Sequence, residues 1–133
     1  MEVKEAESGD RIMPGRILIA PGDYHLTVRR TGGFYYVDCM AGERINGHCP
    51  SVDVMMLSVA EHAGANAVGV MLTGMGHDGA DGMFAMRQAG ARTIAQDEKS
   101  CIVFGMPKSA HDRGGAESFV PLDKIAQTVL SYI

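Results

Sequence analysis

Residues 67–73 read AVGVMLT and residues 74–83 read GMGHDGADGM, an apolar run emptying into a glycine-dense loop. No other feature limits the possible folds as strongly. An apolar run without polar alternation suits a strand buried on both faces, as in a parallel sheet covered by helices. The glycines directly behind it mark a strand-to-helix turn that needs backbone conformations other residues avoid. In open α/β sheets ligands bind beyond the carboxyl ends of the strands, so the loop at 74–79 occupies the position where a site forms. Two chemistries suit such a loop with one acid in it: a phosphate cradle, or one corner of a hydrolase active site.

The flanking sequence predicts the architecture around that strand. Pro50-Ser51 opens a helix with Ser51 as N-cap and Asp53 in the first turn. Val52, Met55, Met56, Val59, Ala60 and Ala63 then form one apolar stripe, and Gly64 ends it. A helix is expected over about 80–89, a strand at RTIAQ (92–96), and a short helix from Pro107 to Arg113. SFVPL (118–122) is expected as a short strand. The tail, with Leu122, Ile125, Ala126, Val129, Leu130 and Ile133 at helical spacing, is expected as a last helix. Upstream, RILIAPG (16–22) reads as a strand closed by a turn, and HLTVRR (25–30) with FYYVDCM (34–40) reads as a hairpin around Thr31-Gly32-Gly33. The loose alternation of that hairpin places it over the body of the domain, outside its core. The expected class is α/β: a doubly wound, mainly parallel sheet with helices on both faces plus a β-hairpin, a three-layer αβα arrangement.

Composition serves mainly to exclude. The length of 133 residues indicates one domain, and a net charge of −4 without a basic run argues against nucleic acid as a partner. No apolar stretch reaches the ~18 residues of a membrane helix, so no membrane insertion is expected. Cys39, Cys49 and Cys101 lack metal-ligand spacing and read as free thiols of a reducing compartment, with a cytoplasmic location. No metal and no cofactor is expected. The ten methionines read as core filler.

Taken literally, Gly74-x-Gly76-x-x-Gly79 is a dinucleotide fingerprint, with Asp97 at the place of a ribose-binding acid. Three points weigh against it. Asp78 would repel a pyrophosphate. The loop does not belong to the first βα unit. Too little chain follows it for two nucleotide-binding halves and a substrate domain.

LTGMGHDGADGM (72–83) followed by AMRQAGARTIAQDEKSCIVFGMP (85–107) closely resembles the catalytic domain of the chemotaxis protein-glutamate methylesterases, the CheB type. The resemblance extends through IAPGDYH (19–25), PSVDVMMLSVAEHAG (50–64) and VPLDKIA (120–126). It implies hydrolysis of γ-glutamyl methyl esters, and in some members deamidation of glutamines, on the cytoplasmic helices of bacterial chemoreceptors, by a Ser-His-Asp triad. Asp78 matches the triad acid of the family. Met75 matches the position whose backbone N–H lies near the oxyanion site.

The family's G-x-S-x-G-G block and its Q-H-M-P-like segment, which carry the serine and histidine, have no counterpart in this sequence. Residues 1–133 are therefore expected to form the carboxyl-terminal two-thirds of the catalytic domain, without nucleophile, base or the family's receiver domain, and to be inactive alone. Ser51, Ser58, Ser100, Ser109, His48 and His77 are the candidates for replacing the missing groups. Structural roles are expected for all of them, and His77 and Asp78, as loop neighbours, are expected to point apart. A lost central strand would leave an unpaired apolar edge, from which self-association is expected. A receptor-binding module without chemistry and a dinucleotide-binding domain stand as the alternatives.

Overall fold

The strand RTIAQ, β7 (Arg92–Gln96), lies at the centre of a three-stranded parallel sheet, between β6 (Val68–Met71) and β8 (Ser118–Val120). The computed structural model describes residues 1–133. β6 pairs with β7 from Val68↔Arg92 to Met71↔Ala95, and β8 pairs from Ile94↔Ser118 to Gln96↔Val120. Alternation along the strands sends side chains to two covered faces. On one face Met71 and Ala95 pack with Met56, Met83, Met86 and Ala110, which come from α1 (Val52–His62), α2 (Ala80–Gln88) and α3 (Met106–Asp112). On the other, Ile94, Val120 and Val70 meet Ile125 and Val129 of α4 (Leu122–Ser131). Met83 and Ile94 are fully enclosed, each contributing roughly 1.5–3 kcal/mol by burial. Helix, sheet and helix therefore form the three expected layers, with methionine supplying much of the filling.

The amino-terminal third adds two smaller sheets. β1 (Glu2–Glu5) runs parallel to β3 (Arg16–Ile19), and β2 (Arg11–Ile12) joins β5 (Phe34–Met40), which pairs antiparallel with β4 (His25–Thr31). Gly32 and Gly33 take φ of 60° and 86° between the paired Thr31 and Phe34, the two-residue turn whose twist matches a hairpin.

One expectation needs correction. The hairpin does not merely overlie the domain: Leu26, Val28 and Val37 are buried with Ala6 in a second core that Met55 and Val59 of α1 close. Neither β1 nor β2 carries a periodic signal, because almost none of their residues is buried. The parallel strands form two ladders, β1–β3 and β6–β7–β8, and the outer edge of β6 has no strand neighbour, the unpaired apolar edge expected above.

Candidate active site

The glycine-rich loop is held from two sides at the carboxyl end of β6. Gly79 starts α2 at φ 98°, and a Cβ there would stand 2.4 Å from Met71 Cε and 2.8 Å from Val52 Cγ1. Only glycine satisfies both the backbone and the space. On the far side, the Gly105 and Met106 N–H groups donate to the Gly74 carbonyl at 3.1 and 2.8 Å, and Gly74 N–H donates to Val103. A Cβ on Gly105 would lie 2.8 Å from that carbonyl oxygen, so a bare backbone is what allows the seam. Thr73 adds to it: Thr73 N–H donates to Gln96 Oε1, while Thr73 Oγ1 accepts from the Ile102 and Val103 N–H groups.

Asp78 leaves this loop pointing inward, 4% exposed, at the amino end of α1. Its Oδ1 accepts from Ser51 Oγ at 2.8 Å, Asn46 Nδ2 at 3.0 Å and Asp53 N–H at 3.2 Å; its Oδ2 accepts from Val52 N–H at 2.7 Å. Burial by itself pushes the carboxyl up, but the bonds from Asn46, Val52, Ser51 and Asp53 together outweigh it and hold the group below the usual carboxylate range. The positive end of α1 acts in the same direction. Asp53, also buried, accepts from Gly82 N–H at 2.7 Å and from Asn46 Nδ2 at 2.7 Å, tying the starts of α1 and α2 together. The carboxylate at 78 is thus ionised, oriented and shielded.

Met75, the other residue singled out by sequence, is 81% exposed on the same loop. No hydrogen bond within the chain engages its N–H. Met75 and Asp78 therefore share one loop but face opposite surroundings.

Of the remaining candidates Ser51, Ser58 and Ser100 take structural positions, and Ser109 lies within α3. Ser51 is the N-cap of α1 and gives its hydroxyl proton to Asp78. Ser58 Oγ donates to Met55 carbonyl and accepts from Val28 N–H, joining α1 to the hairpin. Ser100 donates to Asp97 Oδ1 and accepts from Leu122 N–H. His77 is exposed while Asp78 is buried, as expected of loop neighbours. His48 is exposed too, and the three cysteines are free thiols.

Sequence reading passed over His25 and Asn46. Buried His25 accepts from Ser51 N–H at its Nδ1 (3.2 Å), so its Nε2 carries the proton given to Glu43 carbonyl at 2.7 Å. Histidine, serine and aspartate thus meet in one network, but the serine hydroxyl bonds to the carboxylate and the ring receives only the serine's backbone. That geometry cannot deprotonate Ser51 through His25. For Asn46 a signal existed: Asn-Gly between Ile45 and His48 is a strong hairpin-turn dipeptide.

Beside the amino end of α1, an apolar cavity of about 130 Å³ is lined by Ala20, Leu26, Pro50, Ser51, Val52 and Met55. A second, of about 190 Å³, lies between β3, the hairpin and α1, away from Asp78. No group of three or more His, Cys, Asp or Glu side chains could hold a metal ion. No helix is long and apolar enough to cross a membrane.

The fold is that of a methylesterase catalytic domain: the Thermotoga maritima CheB methylesterase catalytic domain superposes with a TM-score of 0.94 at 38% identity, over 98% of this chain and 69% of that one. Residues 1–129 match the CheB methylesterase family, and the chain belongs to it. It is 65% identical over its full length to a protein-glutamate methylesterase/protein-glutamine glutaminase of Syntrophotalea carbinolica, and 54% identical to one of Syntrophomonas wolfei. The chain spans 38% and 39% of those two relatives.

Proposed function

We propose that these residues supply the acid and the oxyanion side of a protein-glutamate methylesterase site. The site would hydrolyse γ-glutamyl methyl esters, and deamidate glutamines, on the cytoplasmic helices of bacterial chemoreceptors during adaptation. One observation carries this reading: Asp78 is a buried carboxylate kept ionised by four donors. In a Ser-His-Asp site such a group holds the imidazole in the tautomer that can take the serine proton, and stabilises the imidazolium that forms. Oδ2, with one bond against three on Oδ1, keeps acceptor capacity for a ring N–H. The exposed Met75 N–H, without an acceptor in the chain, suits the oxygen that becomes negative as the ester carbonyl is attacked. The serine and histidine come from a separate segment, so the 133 residues alone are inactive.

Methanol release from methylated receptor segments tests this. The chain alone is expected to release none, and the chain with a fragment carrying the serine and histidine is expected to release it. Loss of that activity in Asp78→Ala supports the reading; unchanged activity in Asp78→Ala overturns it.

A binding role rests on a separate observation. Leu72, Met75, Ile102 and Val103 stand exposed along the seam beside the site, an apolar rim suited to one flank of a receptor helix. Pull-down by receptor helices that survives Asp78→Ala and fails in Ile102→Asp would separate binding from chemistry. The open edge of β6 further favours self-association, which sedimentation at micromolar concentration tests; a monomer there removes it. The dinucleotide reading loses its acid, since Asp97 is engaged by Ser100 N–H and Oγ, and a flat NAD titration is expected.

A further inference from the structure

Asn46 sits on a surface turn whose geometry is fully determined. Ile45 N–H donates to His48 carbonyl and His48 N–H to Ile45 carbonyl, both at 2.9 Å, while Asn46 and Gly47 take φ of 54° and 82°. This is the two-residue hairpin turn in which both central residues are left-handed, a position that suits asparagine whatever its side chain does. The side chain does more. Its single Nδ2 donates one proton to Asp53 Oδ2 at 2.7 Å and the other to Asp78 Oδ1 at 3.0 Å. Ionised carboxylates only accept, so the flipped amide would set an oxygen against two anions. The two acids are themselves neighbours, Asp53 N–H reaching Asp78 Oδ1 at 3.2 Å. The only other ionisable group in the network is His25, one residue removed through Ser51.

We propose that Asn46 is a positioning residue: its amide bridges the buried Asp53 and Asp78 carboxylates, screens one from the other, and fixes Asp78 so that Oδ2 is left for the imidazole. The catalytic meaning rests on Asp78 acting as the triad acid; the bridge itself does not, and it can be read on the 133-residue chain without any esterase assay. A turn residue alone would not influence a carboxylate thirty-two positions away in sequence.

The test is a ¹³C-carboxyl titration of Asp78 in the wild-type chain and in Asn46→Gly, which retains the left-handed turn and removes the amide. The midpoint of Asp78 is expected to move to higher pH in the variant. An unchanged midpoint overturns the proposal and leaves Asn46 as a turn former. Should Asn46→Gly fail to fold, Asn46→Asp keeps both a favoured turn dipeptide and the side-chain shape. A third carboxyl among these anions has a raised folded-state value, so its penalty exists when it is ionised. Its stability deficit against wild type is expected to be full at neutral pH and to shrink as pH falls toward about 4. A deficit independent of pH, or none, overturns the proposal. A shifted Asp78 midpoint in Asn46→Gly, together with no methanol release from the wild-type chain supplemented with the fragment carrying the serine and histidine, would count against the methylesterase reading while leaving the bridge standing.

Discussion

The two parts of this chain are held together by different means. Residues 52–131 rest on burial: Met83, Ile94, Ala95 and Ala110 are wholly enclosed between sheet and helices. In residues 1–50 only Ala6, Pro21, His25, Leu26, Val28 and Val37 are buried, while Val3, Ile12, Ile17 and Ile19 stay exposed. Ladder hydrogen bonds and the small core around Leu26, Val28 and Val37 hold that part, while surface pairs such as Arg29–Asp38 at 2.8 Å add little. The site draws on both. Its acid comes from the densely packed part, and Asn46 and His25 come from the sparse one. Close packing determines where Asp78 leaves the backbone, and its oxygens are aimed by the start of α1 (Ser51, Val52 and Asp53) together with one bond, from Asn46, out of the thinner part.

The contrast is broken most directly by trimming one aliphatic side chain in each part. Ile94→Ala, at a fully enclosed position, is expected to cost about 4 kcal/mol of unfolding free energy. Ile17→Ala, at a position 45% exposed, is expected to cost less than about 1 kcal/mol. Equal losses in urea denaturation would mean the two parts are stabilised alike.

Asp78→Asn sharpens the link between the parts. It removes an ion that four donors serve, and is expected to cost about 2–3 kcal/mol at neutral pH. Since Asp78 is held below its ordinary value, its contribution is full above the unfolded-state value of about 3.9 and fades as pH falls through the lower folded one. The gap between wild type and variant is therefore expected to close only in strong acid. A gap constant down to pH 2 would show that charge is not what the donors serve. Gly79→Ala follows, with an expected loss of about 2 kcal/mol from a left-handed backbone and the collision with Met71 and Val52. Among the substitutions at the site the smallest effect is expected for Ser51→Ala, about 1 kcal/mol, for the loss of the N-cap and of one of the four donors to Asp78. Thermal melts resolve both, and the reverse order would place the strain at the helix start instead of the loop.

Legibility followed the same division. Where one face of an element is buried, the sequence carries a period: β7 was readable at its observed bounds of 92–96, and the stripe from Val52 to Val59 marked α1. β1 is mostly exposed and left no pattern to read. At the site, Asp78 stood out because glycines surrounded it, and Ser51 because caps obey local rules. Asn46 and His25 did not stand out, because the partners that tie them to the site, Asp78 and Ser51, lie far along the chain. Nothing near Asn46-Gly47 indicates that its amide will meet Asp78.

The unpartnered side of β6 has a consequence for how this protein could be watched. A strand bonded on one side alone turns every second amide toward its neighbour β7 and the rest away from it. In deuterated solvent, Val68 to Met71 should exchange as an alternating slow and fast series. Whatever polypeptide settles along that edge would erase the alternation, so four backbone protons form a built-in gauge of occupancy that needs no label and no assay of turnover.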